Sequence, residues 1–146
     1  MRAVLTATLF ALALATPSAG QNIELSPDEV LGLSVQALRD GQPAAAASGA
    51  DALLARDSRD VSALIVRAEA AMLLQDYPTA VRTARRAFFA ASEKNPTFAS
   101  ARLVALAHSQ QGNDTRAQIW LRLARQYAPN EQAAAEIAKD YQFLRN

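Results

Sequence analysis

The stretch FASARLVALAHSQQGNDTRAQIWLRLARQYAPNE, residues 98–131, decides the fold. Ala101, Val104 and Ala105 recur at helical spacing before Gly112-Asn113-Asp114, and Ala117, Leu121 and Ala124 do so after it, with Pro129 closing the unit. Apolar positions three and four apart put one stripe on each of two helices, and the glycine between them ends the first. The stripes are built largely of alanine. Small side chains let two helix axes approach closely, so the pair reads as a tight helical hairpin.

Working outward, the same turn occurs twice upstream, at Gly41 and Gln75; the spacings are 34 residues to Gln75 and 37 from there to Gly112. Five residues after the turns stand Ala46, Ala80 and Ala117; twelve after them stand Leu53, Ala87 and Ala124; seven before them stand Ser34, Ala68 and Ala105. Ser26-Pro27-Asp28-Glu29 is a strong helix start, with a capping serine, proline at the first helical position and glutamate three residues after the cap. Further boundaries fall at Asp57-Ser58, Gln75 to Pro78, Asn95-Pro96 and Pro129-Asn130. Sustained strand alternation is lacking. The expectation is an all-α chain of seven helices over residues 27–39, 43–55, 61–74, 78–92, 97–111, 114–127 and 131–144. The last places Ala134, Ile137, Ala138, Tyr141 and Leu144 on an apolar side and Gln132, Glu136, Lys139, Asp140 and Arg145 elsewhere, as suits a helix that closes an open stack.

With these residues in register, the chain resembles the tetratricopeptide repeat family, whose unit is a 34-residue helix–turn–helix. Repeats over approximately 27–60, 61–97 and 98–130 follow, with a capping helix over 131–146 and a short linker over 21–26. Repeat two departs from the pattern with Gln75 at its turn and three extra residues before Asn95-Pro96; repeat one departs with Ser58 where proline is usual. The resemblance implies a short α-solenoid that binds another protein or peptide in a concave groove, without cofactor or catalysis. The groove positions carried over are Asp28, Leu31, Val35, Leu38 and Arg39; Ser62, Ile65, Glu69, Met72 and Leu73; and Ala99, Arg102, Leu106, Ser109 and Gln110. That is an aliphatic strip edged by charge. The places at which some members grip a C-terminal carboxylate hold Leu31, Val35, Val66, Ala99 and Leu103, so that clamp is not expected.

The first twenty residues read as an address. Met1-Arg2 is positive, Ala3 to Ala15 is an apolar run broken by two threonines, and Thr16 to Gly20 is small and turn-prone. This is the layout of a secretory signal peptide, cleaved after Gly20 or Ala15. No later segment approaches the 18 or so apolar residues of a membrane span. Export, in a bacterium to the periplasm, is expected. Leader plus repeats also looks like the periplasmic front part of outer-membrane proteins that continue into a β-barrel, which leaves an envelope-assembly or barrel-secretion module as an alternative.

Composition narrows the chemistry. With 15 basic and 14 acidic residues, the chain carries no general attraction for nucleic acid. Hydrophobic residues make up 51%, too many for a disordered chain. There is no cysteine and one histidine, which removes disulfides, thiol nucleophiles and multi-histidine metal sites. No glycine-rich phosphate loop or calcium loop is present. His108 is expected to be a packed, hydrogen-bonded imidazole. Arg82, Arg85 and Arg86 share a helix face, with Arg122 and Arg125 on the equivalent helix of repeat three. This convex basic stripe invites a second alternative, contact with anionic lipid or an acidic partner. Without interleaved aromatics it does not favour nucleic acid.

Overall fold

A computed structural model describes residues 24–143, and the expected signal peptide lies outside them. Seven helices follow one another: α1 Pro27–Arg39, α2 Pro43–Arg56, α3 Val61–Leu73, α4 Tyr77–Ala90, α5 Lys94–Gln110, α6 Asp114–Gln126 and α7 Glu131–Phe143. Strands are absent among the described residues.

The helix starts follow from local chemistry. Ser26 and Glu29 form the reciprocal capping box at α1, with the Ser26 amide donating to Glu29 Oε2 at 2.8 Å. Asp60, Asp76 and Asn130 accept from Ala63 N, Thr79 N and Ala133 N at the starts of α3, α4 and α7. Most boundaries fall within two residues of expectation, and one start differs by three. Pro96 does not open α5 but sits inside its first turn, because an amide there has no helical acceptor to lose. The hydroxyls of Thr97 and Ser100 donate back to the carbonyls of Glu93 and Pro96.

The helices pair through three equivalent turns. Gly41, Gln75 and Gly112 all take positive φ, at 68°, 59° and 72°. In each turn the next amide reaches back to close the helix: Gln42 to Ala37 O, Asp76 to Ala71 O and Asn113 to His108 O, at 2.8, 2.9 and 2.9 Å. With the bonds of shorter sequence span, Gly41 to Leu38 O, Gln75 to Met72 O and Gly112 to Ser109 O, these are three Schellman motifs.

The nine aligned small or apolar positions are all buried: Ser34, Ala46 and Leu53; Ala68, Ala80 and Ala87; Ala105, Ala117 and Ala124. They form the seams along which α1 packs on α2, α3 on α4 and α5 on α6. In the first pair the approach leaves no room for a side chain at Gly49, where a Cβ would stand 2.0 Å from Ser34 Oγ. That hydroxyl is held in place by donating to Val30 O at 2.8 Å.

Each helix packs on its neighbours in sequence, and α3 also touches α1 on one side and α5 on the other. No comparable contact joins α2 to α4 or α4 to α6 among the described residues. A stack whose odd helices converge while its even helices stay apart curves toward the odd side. The molecule is therefore a short helical solenoid with α1, α3 and α5 on its inner face and α2, α4 and α6 outside.

The far end is closed by α7. Ile137 is fully buried among Ala101, Ala105, Leu121 and Ala124 of α5 and α6, with Phe88 and Trp120 at the border. Ala133 is buried beside it, whereas Ala138, expected on the apolar side, is exposed. The Tyr141 side chain and Leu144 lie outside the described part. Glu136 and Asp140, read as solvent-facing, instead hold Arg102 of α5: Nη1 donates to Glu136 at 2.8 Å and Nε to Asp140 at 2.7 Å. The buried side of the helix is thus centred on Ala133 and Ile137, an orientation that also turns the two carboxylates toward the guanidinium.

Candidate functional site

The inner helices present their side chains in register. Residues i, i+4, i+7 and i+8 share one helix face. Leu31, Val35, Leu38 and Arg39 on α1, Ile65, Glu69, Met72 and Leu73 on α3, and Arg102, Leu106, Ser109 and Gln110 on α5 are three copies of that spacing. Because α3 lies between α1 and α5, these quartets form rows across the inner face.

The rows differ in availability. Leu31, Val35 and Leu38 are half-buried and pack against the Ala46–Ala50–Val66–Ala70 core. Met72 packs against Ala71, Ala80 and Ala107. Ile65, Leu106 and Ser109 are half-buried as well. Arg39, Leu73 and Gln110, at the C-terminal ends of the three helices, are exposed, and Leu73 retains 57% of its surface. The apolar strip is thus half-sunk along the helices and open at their turn end. Of the other positions carried over, Asp28 and Ser62 are exposed and Ala99 is half-buried.

Charge on this face is uneven. Arg102 is committed to the capping helix, and the hydrogen bond to Asp140 raises its pKa further. Glu69 is the opposite case. Its row neighbours are Val35 on α1 and Leu106 on α5, both aliphatic. Burial raises its carboxyl above the ordinary value, and it makes no hydrogen bond or ion pair with another described residue. A half-desolvated carboxylate without a cation is a poor feature of a closed core and a good anchor for an incoming positive charge.

His108 is buried in α5, as expected, but its Nδ1 has no hydrogen-bond partner among the described residues. Desolvation depresses its pKa against a Gln111 hydrogen bond, and Arg116 and Arg85 add to the depression. Among the described residues, no group of three or more His, Asp or Glu side chains is placed to hold a metal ion, and no helix is long and apolar enough to cross a membrane.

The outer surface carries a feature that residue order alone did not show. Arg82, Arg85 and Arg86 line a cleft of about 610 Å³ between α4 and the α2–α3 turn, joined there by Arg59. Arg122 and Arg125 are exposed on α6 and do not line it. The stripe was read as lacking aromatics, but Phe89 belongs to the cleft and is 70% exposed. Periodicity could have found it, since Phe89 follows Arg82 and Arg85 by seven and four residues. Arg59, on a turn 23 residues before Arg82, offers no such signal.

Set against known proteins, the chain matches no family model and no curated protein.

Proposed function

We propose that this chain is an exported, non-catalytic scaffold of tetratricopeptide-repeat type that binds an extended or helical segment of another protein on its inner face. The observation that carries it is Glu69: a half-buried carboxylate, uncompensated among the described residues, set in its row between the aliphatic Val35 and Leu106 and one turn before the exposed Leu73. Apolar side chains of the partner would lie along Ile65, Met72 and Leu106, and a lysine, arginine or free amino terminus would neutralise Glu69. An apolar strip that is half-buried along its length and open at Leu73 leaves room for such a segment. The repeat register of the three turns supports the family, and the leader-like first twenty residues support export to a periplasm.

The test is site-specific photocrosslinking in cells, with probes at Leu73 and Leu106 and a control probe at the exposed Ala52 on α2. A discrete adduct from the two inner probes, lost on Glu69→Lys, is the expected result. Equal adducts from Ala52, or adducts indifferent to Glu69→Lys, would overturn the assignment. N-terminal sequencing of the protein recovered from the periplasm should begin near Gln21.

A further inference from the structure

The outer cleft is built for an anion. Its rim carries four guanidinium groups, Arg59 from the α2–α3 turn and Arg82, Arg85 and Arg86 from α4, and no carboxylate lines it. The two aspartates of that turn are engaged elsewhere: Asp57 accepts the Arg59 amide at 2.9 Å and Asp60 accepts the Ala63 amide at 3.0 Å. Two of the arginines have structural bonds. Arg86 donates to Ser58 O at 2.7 Å, which pins the turn against α4 and shapes one wall, and Arg82 donates to Thr79 Oγ1 at 3.0 Å. The side chains of Arg59 and Arg85 make no hydrogen bond or ion pair with a described residue. Asp76 lies close enough to attract Arg82, but the remaining cations face no carboxylate in the cleft, and an oxyanion between them relieves their mutual repulsion while accepting bidentate hydrogen bonds.

The rest of the cleft is apolar. Leu64 forms a buried floor, Val81 a side, and Phe89 an exposed aromatic edge. Its size suits a small-molecule ligand. A bare inorganic ion would leave this apolar wall unused.

The geometry points to a second binding site, independent of the inner face, for an anionic amphiphile: a phosphate or carboxylate headgroup held by Arg59 and Arg85 with its hydrocarbon part against Val81 and Phe89. The headgroup can belong to a free molecule or to a lipid in a membrane surface, and the two are separable by experiment.

Calorimetric titration of the purified protein with dodecyl phosphate below its micelle-forming concentration is expected to give one site per chain, with tighter binding than inorganic phosphate or neutral dodecyl glucoside. Co-sedimentation with phosphatidylglycerol–phosphatidylcholine vesicles forms the second arm. Binding of dodecyl phosphate alone assigns a free amphiphile. Vesicle binding that dodecyl phosphate displaces assigns a lipid headgroup. Arg59→Gln with Arg85→Gln should weaken either by tenfold or more at unchanged helicity, since neither side chain supports the fold, and Phe89→Ser should weaken dodecyl phosphate but not inorganic phosphate. Absence of binding in both arms, equal affinity for inorganic phosphate, or an unaffected double variant would each overturn the proposal.

Discussion

Gln75 shows how a single position departs from the repeat without breaking it. It holds a left-handed backbone conformation that its two counterparts fill with glycine, and side-chain crowding there costs about 1–2 kcal/mol. Gln75→Gly should therefore raise stability by about 0.5–1 kcal/mol after glycine's greater chain entropy is subtracted, measurable by urea denaturation. Glu69 is a second residue held at a cost. Its pKa is raised in the folded chain, so the folded state binds its proton more tightly than the unfolded state does. Stability from this group is complete at low pH and is lost as pH rises through its titration. Glu69→Gln should be more stable than the parent at pH 7, and the gap should close in acid, below the ordinary value of 4.5. A gap that widened in acid would show that Glu69 has a cationic partner in the free protein.

At the scale of the helix pair, the tight contact between Gly49 on α2 and Ser34 on α1 is specific to the first hairpin. Gly49→Ala gains about 1 kcal/mol of helix propensity and loses about 1–3 kcal/mol to overpacking. The net should be destabilising in the parent and favourable once Ser34→Ala removes the hydroxyl, a coupling that a double-mutant cycle on thermal unfolding would reveal. The α5–α7 contact rests on Arg102, whose loss strands Glu136 and the mostly buried Asp140. Arg102→Leu should cost about 1–3 kcal/mol and speed amide exchange in α7 before any other helix. These elements also mark what was legible beforehand. The seams and turns could be read from residue order because burial in a helix hairpin repeats with the helical period, and Ala46, Ala80 and Ala117 fall on it. The Arg102 clamp could not be read, because it depends on the rotation of a helix 34 to 38 residues away, which periodicity does not set. Pro96 misled for a different reason, since proline both precedes helices and fits inside their first turn.

Across the whole molecule, stability should fall from the centre outward. The central helices α3, α4 and α5 each have neighbours on both sides, while α1 and α7 have fewer. Hydrogen exchange is expected to slow from the ends toward α3–α5, and a single uniform exchange rate would contradict a stack held by nearest-neighbour contacts. The outer cleft escaped sequence reading for the same spatial reason as the Arg102 clamp: its fourth arginine comes from the preceding repeat. The nearest-neighbour packing has a further consequence for the order in which the chain can fold. Among the described residues most helix contacts are with the next helix in sequence, and the α1–α3, α3–α5 and α5–α7 contacts span a single intervening helix, so contact order is low and folding on the order of microseconds to milliseconds is accessible. Each hairpin can therefore form as a local nucleus, onto which the neighbouring helices add in sequence.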